Sequence, residues 1–552
     1  MKIKSYIRYS AYIFLLFIVL ILGCKSKIKQ IGKQEIVVTP AELYPTISEI
    51  LEASIEDYLL HNKHLESLRI TNPDVVKHLY SKNSYKPIWF TGGIWNSKTD
   101  SLFLFIKDCR QYGLYPEHYF FNQLQSLKQQ TIDTANKKQL NASLWAEQDL
   151  LLTTSLVELV YDLRLGRLVT YSIKQADTTL SHAFFEEQLA RFKETGAEDW
   201  AAPLEPAQIR YHRIKEALKV FLANADFRKF TPVDMKDTMH LKDNIAYRLW
   251  EQDSIKYADT INLEKRIKLY QKESGLPVTG KISDGLIKRL NTSDHDRFLK
   301  VAITLDRYKQ TPALPKNYIW VNIPSYQLQV WEADSVVLTS KIAVGKPITR
   351  TPIITSNITD MITYPLWTIP ASIIKAEILP NLKKDPAYLK RKGYSLADNQ
   401  GNEIDPSTVS WVKYENGIPY RVIQGSGDAN ALGVMKFNFP NKFSVYLHDT
   451  NQRALFSKEK RALSHGCVRV QAWNELATYL LRRDSMYSVN ATPLDSLHRW
   501  LAVKEKQLIP LRKRMPVFIR YYTCDATDGK LVFYEDIYGE DMKFQETYFS
   551  TK

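Results

Sequence analysis

Four cysteines among 552 residues are too few to build a disulfide scaffold. With 20 glycines and 24 prolines, the chain cannot be a collagen-like or low-complexity polymer. No apolar run reaches the roughly 20 residues of a membrane-spanning helix, and the unbroken run Ala11–Leu22 stops short of it. Gly425-Ser426-Gly427 is followed by no Gly-Lys-[Ser/Thr], so a phosphate loop is absent. Zinc-finger, helix-turn-helix and base-stacking patterns are also missing, which argues against nucleic acid as partner. What remains is ordinary globular composition, 44% hydrophobic and 24% charged. At about 150 residues per domain, the length implies several domains. Lys+Arg outnumber Asp+Glu by 75 − 60 = 15, a balance suited to an anionic membrane surface or an acidic polymer.

Lys2, Lys4 and Arg8 precede the apolar run as a basic leader, and the run ends in Ile21-Leu22-Gly23-Cys24. This pattern is similar to a bacterial lipoprotein signal, with Cys24 as the lipidated first residue after cleavage, although Leu22 stands where a small residue is usual. The alternative is an uncleaved anchor. Both place the chain in the cell envelope, exported and membrane-attached. Cys109 and Cys524 read as unpaired buried thiols rather than a bridge.

Residues 25–40 are basic, lack an apolar period and read as a tether. From 41 to 235 the patterns are helical, with Leu150, Leu151, Thr154, Val157, Glu158 and Tyr161 at the spacing of an amphipathic helix. His61 and His64 are three apart, but no further ligand accompanies them, so they read as a solvated helix surface. Residues 236–292 form a compact unit with its core at 255–291: one helix ends at Gly275, Pro277 and Gly280 mark a turn, and Ser283 caps another helix. Its text, IKLYQKESGLPVTGKISDGLIKRLN, resembles the small three-helix peptidoglycan-binding domain. Beyond Asp296 the period changes to two, at Ile319, Val321 and Ile323 and again at Leu328 and Val330. Glu332-Ala333-Asp334 reads as a hairpin loop before Val336–Ala343, and alternation returns in Val445–Val470, Val517–Tyr521 and Lys530–Tyr534. Residues 373–411, with Lys383, Lys384, Lys390, Arg391 and Lys392, read as an insertion over a site. The expected fold class is therefore α+β and multidomain, a helical front followed by a β-rich domain.

The chemistry concentrates in FSVYLHDTNQRALFSKEKRALSHGCVRV. Strand alternation puts Phe443, Val445 and Leu447 on one face and Ser444, Tyr446 and His448 on the other. It likewise sends His465, Cys467 and Arg469 outward together while Val468 and Val470 turn in. An imidazole beside a thiol can activate it for acyl transfer through a thioester. N–H groups at Gly466 and Cys467 could bind the oxyanion, and Arg469 could hold a substrate carboxylate.

His448 followed, after a gap, by Ser464-His465-Gly466-Cys467-Val468-Arg469 resembles the signature of the L,D-transpeptidases, with Cys467 19 positions after His448. The stretches IWVNIPSYQLQVW, VGKPITRTPI, YPLWTIP, NALGVMKFNFPNKFSVYLHDT and PVFIRYYTCD agree. The resemblance implies a catalytic domain over 296–552, with the insertion as its capping subdomain. The helical scaffold and the small wall-binding domain in front of it match the large multidomain periplasmic type. It further implies Cys467 as nucleophile, His448 as base oriented by the Asp449 carbonyl, and His465 shaping the oxyanion site with Gly466. Tyr446 and Trp367 would line the groove. The expected reaction is 3→3 cross-linking of peptidoglycan stem peptides, from a tetrapeptide donor to an acceptor amine, with carbapenems as inhibitors and no metal or organic cofactor. Use of water instead of an amine would make the same site an L,D-carboxypeptidase or a cross-link hydrolase. A non-catalytic wall-anchoring lipoprotein is another reading. A zinc site from His448, His465 and Cys467 is opposed by the adjacent Arg469.

Overall fold

The computed structural model describes residues 30–61, 70, 72–91, 94–136, 140–168, 180–258 and 262–548. Ala11–Leu22, Cys24 and His64 lie outside them. Among the described residues no helix is long and apolar enough to cross a membrane.

The N-terminal half is helical, as its periodicity predicts. Its hub is α1 (Ala142–Arg164), capped by Asn141, whose side chain accepts from the Ser143 N–H. Leu150 through Leu156 are buried without interruption, so α1 is wrapped by its neighbours rather than amphipathic. A helix apolar on all sides belongs inside a core. Asp149 is sealed in with it, accepting from Ile88 N, Trp89 N and the Tyr80 hydroxyl. The expected tether is shorter than 25–40. Ile31 and Val37 are buried in the helical core, and Ile36–Val37 pairs antiparallel with Leu140–Asn141. Their apolar side chains, too few to show a period, find a tertiary partner.

Three helices make the small unit: α2 (Leu241–Gln252), α3 (Leu263–Glu273) and α4 (Asp284–Leu290). Ile245, Leu249, Ile267, Tyr270, Leu286 and Leu290 form its core. Gln271 explains the turn that the sequence marks: its Oε1 accepts from the N–H groups of Thr279 and Gly280. Ser283 caps α4 by accepting from Leu286 N.

The β-rich part begins later than the expected 296. Asp294–Lys309 is a helix, α5, opened by a capping box of Ser293 and Asp296. It packs between the helical half and the sheet in an aromatic core that includes Tyr115, Phe298, Tyr308, Trp320 and Tyr522, where Tyr308 stacks on Tyr522 at 4.5 Å. Arg210 crosses the same junction, bonded to Asp525 at 2.5 Å and Gln329 at 2.9 Å. Cys524 lies in this core and Cys109 in the helical one. Both are buried and free.

Among the described residues nine strands make the main sheet: β1 (Asn317–Asn322), β2 (Gln327–Glu332), β3 (Ser335–Gly345), β4 (Ile354–Thr363), β5 (Met435–Asn438), β6 (Leu447–His448), β7 (Ala462–Ser464), β8 (Val468–Val470) and β9 (Leu508–Arg520). Their order is β7-β3-β8-β6-β5-β4-β9-β1-β2, and β2 also pairs with β3, which closes the sheet on itself. Inward side chains such as Val321, Leu328, Phe437, Leu447 and Val468 fill the interior. The expected alternation over Val445–Val470 survives only in three short strands, because 449–461 is loop and a 3-10 turn. Phe443 leaves its predicted row: it is 49% exposed, whereas Val445 and Leu447 are buried.

The insertion is larger than 373–411. Trp367–Thr368, Tyr394–Ala397 and Arg421–Gln424 form a separate three-stranded sheet. Ile369, Ile374, Leu382, Leu389, Trp411 and Val422 give it a core of its own. Lys383, Lys384, Lys390, Arg391 and Lys392 are exposed on it, and Arg391 pairs with Asp385.

Candidate active site

Register builds the site. Strand β6 is two residues long and sits between β5 and β8, pairing Lys436 with His448 and His448 with Arg469. Side chains opposite one another share a face, so a histidine lies in one row between two cations. His448 is buried. That burial, joined by Arg469 and Lys436, lowers its pKa to about 3, while the carbonyls of Asp449 and Leu432 pull the other way. The resting ring is neutral. Its Nδ1 donates to the Asp449 carbonyl at 2.5 Å. A carbonyl can only accept, so the single proton sits on Nδ1 and Nε2 carries the lone pair.

Asp449 contributes more than its carbonyl. Its carboxylate accepts from Val434 N and from Arg453, each at 3.0 Å, and its N–H donates to the Met435 carbonyl at 2.9 Å. The turn at Gly433, with φ +64°, closes directly over that side chain.

A cleft of about 120 Å³ brings together Trp367, Tyr446, His448, Ser464, His465, Cys467 and Arg469, with Phe443, Ser444 and Leu432 on its walls. Cys467 keeps partial exposure to this cleft. Burial pushes its thiol up; the Tyr446 N–H and hydroxyl, then Lys436 and Arg469, favour the thiolate. Tyr446 reaches both the Cys467 sulfur and the Trp367 side chain, and burial with the nearby thiol raises its own pKa. Its ring lies edge-on to His448 at 5.6 Å and carries Lys436 Nζ on its face at 4.1 Å. Sequence reading missed Lys436 entirely, because its place depends on strand register.

The turn ahead of the cysteine is held from within. Gly466 adopts φ +121°, a conformation that favours glycine. Its N–H donates to the Ser464 Oγ at 3.1 Å, and its carbonyl accepts from Thr351 Oγ1 at 2.8 Å. The Ser464 hydroxyl in turn donates to the Cys467 carbonyl at 2.6 Å. Gly466 is therefore not the oxyanion donor that its position suggested, since its amide is already spent inside the turn. The Cys467 N–H has no hydrogen-bond partner among the described residues.

His465 also differs from expectation. Its Nε2 meets Glu377 Oε1 at 2.5 Å, and Glu377 belongs to a π-helical turn of the insertion, Ile374–Ile378. It lines the cleft, yet its ring is tied to the cap. Arg469 donates to Gln452 Oε1 at 3.1 Å, and its buried Nε is unpaired. Among the described residues no group of three or more His, Cys, Asp or Glu is placed to hold a metal ion.

Residues 316–492 match the family described as the L,D-transpeptidase catalytic domain, and residues 74–218 match the scaffold domain. A Haemophilus influenzae protein named "Putative L,D-transpeptidase" is 39% identical over 244 residues, 44% of this chain and 48% of its own. The chain thus spans about half the length of that relative. Among solved structures, the Ldtfm–avibactam carbamoyl enzyme shares 14% identity over 38% of this chain and 51% of its own, at a TM-score of 0.16. A mutant Enterococcus faecium L,D-transpeptidase shares 14% identity over 38% and 52%, at a TM-score of 0.15. Scores this low carry no argument.

Proposed function

We propose, for a chain that carries an L,D-transpeptidase catalytic domain together with a scaffold domain, that Cys467 and His448 transfer acyl groups between peptidoglycan stem peptides. One observation carries the reading: a neutral imidazole, its proton fixed on Nδ1 by the Asp449 carbonyl, shares a cleft with a thiol. His448 Nε2 takes the thiol proton as the sulfur attacks the carbonyl of the third, L-centred residue of a tetrapeptide. The two carbonyls that face the ring, from Asp449 and Leu432, offset the imidazolium formed at that moment. The Cys467 N–H, without a hydrogen-bond partner among the described residues, is left to receive the developing oxyanion.

Collapse of the tetrahedral intermediate expels the terminal D-Ala, whose amine leaves with the imidazolium proton. The thioester is resolved by a side-chain amine of another stem, His448 accepts that amine's proton, and the product is a 3→3 cross-link. Each step uses only residues of this chain, and no metal or cofactor enters. Tyr446 and Trp367 form the wall across which the peptide lies, and Arg469 faces its carboxylate. The exposed lysines of the insertion draw an anionic stem towards the cleft. The substrate puts the protein in the cell wall compartment, and the leader ending at Cys24 supplies a lipid anchor.

Incubation with defined tetrapeptide muropeptides and mass spectrometry tests this. Cross-linked dimers are expected from wild type and none from Cys467→Ser, whose alcohol one imidazole does not activate. Trimmed tripeptides without dimers would reassign the acceptor to water. Meropenem should add its mass to wild type and not to Cys467→Ala; an adduct surviving in the variant would overturn the nucleophile.

A further inference from the structure

Strand β9 carries three cations that take no part in the Cys467 cleft. It pairs Pro510 with Asp360 and Met515 with Ile358 of β4, so the four residues Leu511–Arg514 stand against Thr359 alone. The surplus makes a bulge. Leu511 is buried, whereas Arg512, Lys513 and Arg514 are exposed. From Lys506 to Cys524 the sequence holds no Asp or Glu. None of the three cations has an ion-pair partner among the described residues.

The bulge is pinned from beneath. Asp484, buried on α6 (Trp473–Tyr487), accepts from the N–H groups of Arg512 and Lys513 at 3.1 and 2.6 Å. Arg483 beside it donates to the Lys513 carbonyl at 3.0 Å. A carboxylate that spends both oxygens on main-chain donors fixes the shape of the bulge, while the three side chains stay outside. The end of α6 lies against them and is apolar where it meets water. Lys513 Nζ and the Arg483 guanidinium sit over the Tyr487 ring at 5.2 and 5.3 Å. Met486 is 81% exposed, Tyr487 57%, and Val489 wholly. Single exposed apolar side chains are ordinary. Three within four residues, beside three unpaired cations on a pinned bulge, make one amphipathic surface. Glu332, at the preceding turn of α6, is engaged by the Tyr479 hydroxyl at 2.9 Å.

We propose that this surface docks the catalytic domain on an anionic lipid bilayer, with Arg512, Lys513 and Arg514 among the headgroups and Met486, Tyr487 and Val489 at the acyl boundary. Charge complementarity and apolar exposure select that occupant together. Lipid phosphates draw the cations, and the interface below them takes Met and Val while the Tyr hydroxyl stays at headgroup level. Contact of this kind fixes how the domain sits on the membrane, which a flexible N-terminal attachment by itself leaves free.

The test is hydrogen exchange read by peptide mass spectrometry on the full chain, reconstituted in neutral phosphatidylcholine vesicles and in vesicles with about one-third phosphatidylglycerol. An N-terminal anchor enters both, so the difference between them reports this surface. Each cation near an anionic membrane contributes roughly fivefold in affinity. We therefore expect exchange over 485–491 and 511–515 to slow about threefold or more on the anionic vesicles. The effect should fall at about 0.5 M salt and vanish in Arg512→Gln/Lys513→Gln/Arg514→Gln. If that variant is unfolded by melting, Val489→Asp decides, because it sets a carboxylate against the lipid and should at least halve the protection. Equal exchange on the two vesicles, or protection kept in the folded variants, would overturn the surface. Equal slowing by polyglutamate or by free glycerol phosphate would overturn the lipid assignment. Meropenem acylation of Cys467 should be unchanged in these variants, so the outcome is separate from that of the proposed function.

Discussion

Gly433 lies 34 positions before the cysteine, and its substitution by alanine should damage the site through Asp449. At φ +64° a residue with a Cβ is strained, by about 1–2 kcal/mol. The added carbon would also stand 2.5 Å from Asp449 Cγ and 2.7 Å from its Cβ, far inside contact distance, in a side chain 1% exposed. Asp449 must move, and moving it breaks its bond from Val434 N. A hydrogen bond to a buried charged group is worth about 1.5–3 kcal/mol. Together the destabilisation is about 3–5 kcal/mol, a fall on the order of 10 °C in the melting transition that contains the catalytic domain. The same shift carries the carbonyl that fixes His448 Nδ1. A displacement of about 1 Å at a catalytic group costs on the order of a hundredfold in rate, so meropenem acylation of Cys467 should slow by ten- to a hundredfold. Scanning fluorimetry and intact-mass kinetics measure both. Asp449→Ala removes the carboxyl part of the clash and leaves only the Cβ contact at 2.7 Å, so the double variant should lose less than the sum of the single losses. A Gly433→Ala protein that melts within 2 °C of wild type and acylates within twofold would refute the reasoning, as would strict additivity in the cycle.

Because His448 titrates near 3 when folded and about 6.5 when unfolded, the unfolded chain binds more protons between those values. Its contribution to stability is therefore complete above about pH 6.5 and is lost as pH falls towards 3; a His448→Gln variant should show a flatter fall in denaturation midpoint over that range, and an unchanged slope would contradict the burial argument. His448→Ala should lose most of its acylation rate and regain part of it at raised pH, where hydroxide generates the thiolate. A flat pH response would remove the base role. Tyr446→Phe removes the hydroxyl that favours the thiolate and engages Trp367. Iodoacetamide alkylation of Cys467 at pH 8 should then slow by about three- to tenfold, the rate equivalent of about 1 kcal/mol, and an equal or faster rate would refute it. Glu377→Gln unfastens the cap from His465. Since half-exposed pairs contribute at most about 1 kcal/mol, the peptide KM should rise up to fivefold with kcat nearly constant, whereas a large kcat loss would place His465 in the chemistry itself.

Much of the molecule was legible in its residue order. The period-two runs at Ile319–Ile323 and Leu328–Val330 fall in six-residue strands of the closed sheet; Ile319 and Val321 fill its interior, while Tyr318 and Trp320 on the other face of the same strand join the aromatic core. The caps at Ser283 and Gly275, which act within a turn, fell where local rules put them. His448 and Cys467 stood out because a His and a Ser-His-Gly-Cys turn form a local pattern. Other features lie beyond any local reading. The row Lys436–His448–Arg469 exists only because three strands adopt one register, and that row, with burial, makes the histidine a neutral base. Gly466 seemed a free amide until the fold showed its N–H spent on Ser464. The insertion looked polar because its core residues are scattered from Trp367 to Val422 and meet only when its small sheet forms. Residues 31–37 looked like a tether because three apolar side chains show no period, yet Ile31 and Val37 are buried in the helical core and Ile36–Val37 pairs with a segment a hundred positions away. Sequence order fixes what neighbours within a turn or a strand can do, whereas burial, register and counter-ions are set by segments distant in the chain, and these decided how the site works.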